Sequence, residues 1–166
     1  MKKPEHMTHL HGSTLVPKSH PRILFRGKLD SLGAQVVLIQ CELEAAKAPP
    51  ALGTDLQEIV EVLRELSRAE VLDQPFARER LLGLSWAELR EQSHAPESYF
   101  GVRAMTPPDA VLGRTYALLN VLRAAVRETE LAAVVAFDTD RPDLVLALNR
   151  LSSAVYILMC KAIVGQ

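Results

Sequence analysis

The chain has 166 residues, a formal net charge of -1, and 48% apolar but only 5% aromatic residues. That length fits one domain with a substantial core. The near-neutral charge offers no global field for nucleic acid or an anionic membrane, so any anion site must be local. Sparse aromatics count against a β-sandwich, and the wealth of Ala, Leu, Glu and Arg favours helix.

Residues 1–17 read as an irregular leader broken by Pro4, Gly12 and Pro17. A first helix is expected from near Pro21 to Lys47, with Leu24, Phe25, Leu29, Leu32, Val36, Ile39 and Leu43 at mixed three and four spacing. Thr54 and Gln57 form a capping-box signature for a second helix, whose stripe is Leu56, Ile59, Val60, Leu63 and Leu66. Ser85 and Glu88 repeat the signature for a short third helix, Ser85 to Gln92, followed by a loop from Ser93 to Thr106. A fourth helix is expected from Pro107-Pro108 to Phe137, and Asp140 is expected to cap a fifth that carries Pro142 and Asp143 in its first turn. No alternating strand pattern is present. The expected fold is all-α, an antiparallel bundle of four or five helices over residues 18–166.

Cys41 and Cys160 sit in apolar helical patterns and read as buried free thiols, which suits a reducing cytosol. The N-terminus shows no signal-peptide pattern. Ala154 to Val164 is too short and too interrupted to span a bilayer and reads as a core helix. A cytoplasmic protein with no nucleic-acid or membrane partner is expected.

Three polar clusters stand out. Arg123, Arg127 and Glu130 lie at spacings of four and three, on one helical face spanning roughly 10 Å. They form either a solvated face or a set of charges awaiting a partner. The same helix is apolar on most sides, and buried charge needs compensation. Asn149, Ser153 and Tyr156 recur on one face of the last helix, as a polar layer between helices or as hydrogen-bond donors facing the arginines. Lys18-Ser19-His20-Pro21-Arg22 precedes the first helix, and Arg26-Gly27-Lys28-Leu29-Asp30 follows; basic groups at a helix N-terminus suit phosphate oxygens.

Together these clusters resemble ATP:corrinoid adenosyltransferases. The resemblance rests on Lys18 to Arg22 with Gly27 and Asp30, on Arg123, Arg127 and Glu130, and on Asn149-Arg150-Leu151-Ser152. It is nearest to the ethanolamine-utilization type, through the phrases THL, ALLNVLRAAVRETE and RPDLVLALNRLSS, and covers about Lys3 to Ile163.

The resemblance implies a homotrimeric helix bundle with ATP between neighbouring subunits. It implies transfer of the 5′-deoxyadenosyl group of ATP to cobalt of reduced cobalamin, with Mg2+ as cofactor and ethanolamine breakdown as the setting. Lys18 and Arg22 would then meet phosphates, Arg127 the triphosphate, Glu130 the magnesium or nucleotide, and Asn149 the nucleotide. Asp30 would pair with Arg123 across the subunit boundary. Tyr99 and Phe100 are candidates for an apolar wall that displaces the corrinoid's lower ligand, or else they cap the core. A reductase, a cobalamin-dependent lyase and a bacterial microcompartment are the implied partners and location. Cobalt(I) is itself the nucleophile, and no Ser–His or Cys–His pair is evident here.

The relatives' N-terminal His/Cys metal segment and glycine-rich ATP segment have no evident counterpart. His6, His9 and His11 read as part of a disordered or tag-like leader rather than a metal site. Two alternatives remain at this point: a non-catalytic carrier or sensor that binds nucleotide or corrinoid, and a purely structural bundle.

Overall fold

The computed structural model describes residues 3–165; Met1 and Lys2 of the leader and Gln166 of the bundle lie outside the described residues. The leader is not irregular. Strands β1 (Met7–His9) and β2 (Leu15–Pro17) pair antiparallel, with Met7 opposite Pro17 and Thr8 opposite Val16. The turn between them uses Gly12 at a φ of +52°, a conformation that glycine adopts without strain.

Helix α1 (Pro21–Ala45) begins with proline in its first turn and with the His20 ring accepting from the Arg22 N–H. Its buried face is Phe25, Leu29, Leu32, Val36, Ile39 and Leu43, a three–four repeat. Leu24, expected on that face, is turned outward and exposed. The helix ends two residues before the expected Lys47, which instead turns the chain at a φ of +54°. Helix α2 (Pro50–Val71) starts earlier than the Thr54 signature predicts. Proline at position 50 suits a first turn, so Thr54 falls inside the helix, where its hydroxyl donates to the Pro50 carbonyl. The α2 stripe packs on α1 and includes Leu56, Ile59, Leu63 and Leu66.

A two-residue hairpin follows, β3 (Arg80–Leu81) and β4 (Leu84–Ser85), turning through Leu82 and Gly83 at positive φ. Helix α3 (Trp86–His94) carries the expected capping box between Ser85 and Glu88. The segment expected as loop contains α4 (Pro96–Phe100), closed by Gly101 in the left-handed region. Helix α5 (Gly113–Phe137) starts later than the Pro107-Pro108 pair predicts, after a short 3-10 turn at Ala110–Leu112. Helix α6 (Pro142–Val164) starts with Arg141 at its N-cap, with no side-chain cap from Asp140.

Helices α1, α2, α5 and α6 form an antiparallel four-helix bundle, with α3 and α4 laid on α6. The start of α1 meets the end of α5, where Phe25 and Phe137 pack edge-on with centroids 5.2 Å apart. Lys28 and Glu128 bridge the two helices at 2.8 Å, and Arg114 pairs with Glu42 at the far end. The core runs through Leu119, Leu122, Val126, Leu148 and Leu151, all fully buried. Each such side chain contributes about 1.5–3 kcal/mol over an exposed one. By length and composition α6 could cross a membrane, with mean hydropathy 1.4 in its most apolar window, but 56% of that window is buried inside the bundle. Cys160 is buried as expected. Cys41 is exposed, because it lies on the outer face of α1, away from the buried Val36, Ile39 and Leu43.

Candidate functional site

Helices α5 and α6 lie side by side in antiparallel contact, so polar residues on their shared flank meet. On α5 the three charges of the expected stripe divide by depth. Arg123 is half-buried and bonds to Asn120 Oδ1 through Nε and Nη2, at 3.3 and 3.2 Å. Arg127 is exposed, with no hydrogen bond or ion pair to any described residue. Glu130 is half-buried, and its Oε1 accepts from Asn149 Nδ2 on α6 at 2.8 Å. Asn149 Oδ1 in turn accepts from Arg150 Nη1, and the Asn149 carbonyl accepts from the Ser152 hydroxyl at 2.7 Å.

The electrostatics along this seam are uneven. Burial, reinforced by Arg90 on α3 and opposed by Glu130, pulls the Arg150 guanidinium below its ordinary pKa. Its Nε is buried without a hydrogen-bond partner. Burial pushes the phenols of Tyr116 and Tyr156 up, and Arg123 partly offsets this in both. Burial also pushes the Cys160 thiol up, which keeps it protonated and a poor nucleophile. The seam thus presents a cation with open donors, a carboxylate with one oxygen engaged, and an oriented amide. Such a set has the chemistry to meet a polyphosphate or nucleotide and offers no nucleophile of its own.

A second cluster, at the end of the bundle where α1 starts and α2 ends, is of a different kind. Glu70 is buried in the α2 stripe, its side chain 1% exposed, and takes Arg22 Nε at 2.8 Å and Arg26 Nε at 2.5 Å. Arg22 also reaches the Glu70 carbonyl and stacks 5.2 Å from the centre of the Phe137 ring. Arg26 holds the Leu10 carbonyl and so ties down the leader hairpin. Close by, Asp143 accepts from Arg141 and from the Phe76 N–H. Burial opposes ionisation of Asp143, but Arg141 and those N–H groups prevail and hold its carboxyl below the ordinary value. Sequence reading missed Glu70, yet a signal exists: it continues the helical spacing of the α2 stripe, four residues after Leu66.

The other expected residues are not bonded to this seam. Lys18 and Asp30 are exposed, and no described hydrogen bond or ion pair joins them, or Arg22, to Arg123, Arg127, Glu130 or Asn149. Arg22, expected at a phosphate, is engaged by Glu70 within the chain. Tyr99 on α4 is exposed and donates its hydroxyl to Glu91; Phe100 packs against the core. His6 and His9 are exposed, while His11 Nδ1 lies 3.2 Å from the Val71 carbonyl. No three His, Cys, Asp or Glu side chains group for a metal ion among the described residues. One cleft of about 630 Å³ is lined by Arg22, Asp73, Phe137, Arg141 and Asp143, and one of about 270 Å³ by Leu52, Asp55, Thr115, Leu158 and Lys161. Neither includes Arg127, Glu130 or Asn149, whose seam is open on the bundle's outside.

Fold and seam together define a class: a four-helix bundle whose polar constellation sits on an outer helix face, outside both clefts. The sequence matches the cobalamin adenosyltransferase family over residues 1–162. It is 43% identical over 164 residues to the corrinoid adenosyltransferase EutT of Salmonella typhimurium and 41% identical over 170 residues to that of Escherichia coli K12. The alignments cover 96% and 99% of this chain, but the chain spans only 59% and 61% of those relatives' lengths. Its fold is similar to a variant of the PduO-type ATP:corrinoid adenosyltransferase from Lactobacillus reuteri, solved with cobalamin and ATP. That likeness has a TM-score of 0.71 at 19% identity and covers 93% of this chain and 87% of the other. The chain belongs to the cobalamin adenosyltransferase family.

Proposed function

We propose that this chain is the helical-bundle module of an ATP:corrinoid adenosyltransferase. It would transfer the 5′-deoxyadenosyl group of ATP to cobalt of reduced cobalamin, in the service of ethanolamine breakdown. The observation that carries the reading is the α5–α6 seam: an exposed Arg127, unpaired among the described residues, beside a Glu130–Asn149 bond, in a chain of this family.

In the proposed reaction the cobalt(I) electron pair forms the Co–C5′ bond while the C5′–O bond breaks, and that bond's electrons leave with triphosphate. The protein's task is alignment and charge stabilisation. Arg127 would hold the departing polyphosphate with a two-pronged guanidinium, and Asn149 would fix the nucleotide. Lys18 supplies a further cation to the phosphates. Glu130 fits magnesium: one carboxylate oxygen is bonded by Asn149 and the other is free of described hydrogen bonds. A lone carboxylate is also enough, because Mg2+ takes most of its ligands from phosphate and water. Bound there, the ion would neutralise polyphosphate charge. Phe100, with Tyr99 beside it on α4, is assigned to the apolar wall at the lower face of the corrinoid.

Lys18 and Asp30 make no described hydrogen bond or ion pair with the seam in one chain, so the site would be completed by a second copy. Apolar residues support such packing: Leu131 and Val135, 66% and 74% exposed, follow Arg127 on α5 at helical spacing, and Leu38 on α1 is 60% exposed. A head-to-tail contact of α1 on a neighbour's α5 would close into a homotrimer and bring Asp30 to Arg123. A cytoplasmic or microcompartment location, with a reductase or a cobalamin-dependent lyase as partner, follows from the same reading.

The test is spectroscopic. Cob(I)alamin, kept reduced and mixed with the chain and Mg-ATP, is expected to yield the Co–C product. ATP binding without that product leaves the carrier or sensor reading, and absence of both removes the nucleotide reading.

A further inference from the structure

We propose that Arg150 is a positioning residue that fixes which end of the Asn149 carboxamide faces the nucleotide; the inference rests on the nucleotide reading of the α5–α6 seam. A free asparagine amide turns over with little preference, since its two ends are nearly the same shape. In this structure both ends are held. Arg150 Nη1 donates to Oδ1, and Nδ2 donates to Glu130 Oε1 at 2.8 Å. Turning the amide over would set its NH2 against a guanidinium and its oxygen against a carboxylate, so both bonds would be lost together. The second Nδ2 hydrogen is therefore always a donor, and the ligand atom it meets must be an acceptor.

Arg150 is otherwise poorly provided for. Its Nε is buried without a hydrogen-bond partner, and among the described residues it makes no ion pair with a carboxylate. Arg90 on α3 adds a like charge nearby, which the Glu130 carboxylate only partly offsets. A half-buried guanidinium is costly in such surroundings. Its one described hydrogen bond is the one to Asn149. An apolar side chain at this position would pack at lower cost, so the bond to Asn149 is the feature that distinguishes arginine here.

A double-mutant cycle on Mg-ATP affinity tests this, using the full chain and isothermal titration, with thermal melting as the folding control. Arg150→Met is expected to weaken Mg-ATP by about ten-fold, the scale of one charge-assisted hydrogen bond. In an Asn149→Ala background the same change should cost less than about two-fold, because contacting residues are not additive. Arg150→Lys, which keeps the charge but not the fork, should fall between and serves as the folded alternative if Arg150→Met melts early. Equal losses in both backgrounds would mean that Arg150 acts on its own, and no loss in the parent would mean that it does not act; either overturns the proposal. If Asn149→Ala alone leaves Mg-ATP affinity unchanged, the nucleotide reading of Asn149 fails and this inference fails with it, whereas a loss in Asn149→Ala with none in Arg150→Met sinks the inference alone.

Discussion

Two charged regions of the same bundle are built to opposite ends. At the start of α1, Glu70 is buried but meets two arginines, with a backbone carbonyl and an aromatic ring close by, so its charge is matched within one chain, although Arg141 Nη1 is a buried donor without a hydrogen bond. Along α5 and α6, among the described residues, Arg127 has no partner, Glu130 has one, and Arg150 has a buried nitrogen with none. A matched network gives stability and little else to bind. An unmatched one has capacity left for a ligand. The contrast separates matched from unmatched charge more clearly than residue type does, since both regions are rich in arginine.

Breaking the matched region should have the largest effect. Glu70→Ala leaves two guanidinium groups around an emptied, buried position. It is expected to cost about 3–5 kcal/mol, read as a shift in the urea midpoint. Breaking the open region should do the reverse: Arg127→Ala is expected to lower Mg-ATP affinity by about a hundred-fold, through the loss of a bidentate phosphate contact. Its stability should change by less than about 0.5 kcal/mol, as for other exposed sites. If Arg127→Ala also unfolds the chain, the distinction between the regions is false.

Acid sharpens the comparison. The folded-state pKa of Asp143 is depressed, so its contribution is present above the unfolded value, near 3.9, and is lost as pH falls through the lower folded value. Urea melts between about pH 5 and pH 3 should therefore show wild type losing stability more steeply than Asp143→Asn. The smallest effect is expected at the α1–α5 bridge. Lys28 and Glu128 are both exposed, so Lys28→Met should be hard to distinguish from wild type in moderate salt.

Much of the bundle was legible because burial follows the three–four repeat: every buried α1 residue is one that the spacing picks out. The capping box at Ser85 and Glu88 was legible for a local reason, since both partners lie in one turn. Thr54 and Gln57 carry a similar signature, but Pro50 starts the helix a turn earlier and the cap is never needed. The Pro107-Pro108 pair misled in the opposite sense, because the chain enters a 3-10 turn only at Ala110 and the α-helix only at Gly113. Short hairpins such as Met7–His9 with Leu15–Pro17 have too few residues to show alternation. Of the site, the stripe on α5 could be read from spacing, as could the polar face of α6. Their direct bond, Asn149 to Glu130, spans two helices and required the fold. Arg22 shows the opposite failure: a basic residue near a helix N-terminus looked phosphate-bound, and a glutamate 48 positions away had already claimed it.

The central claim is that the open seam is one half of a site whose other half comes from a second copy. Co-expressing differently tagged Arg127→Ala and Lys18→Ala chains and purifying the mixed assembly tests it directly. Each variant alone is expected to be nearly inactive in forming the Co–C product. In a mixed three-membered ring about one third of the interfaces should join two intact halves, so activity should recover toward that fraction of wild type. A mixed assembly as inactive as its parents would contradict the account.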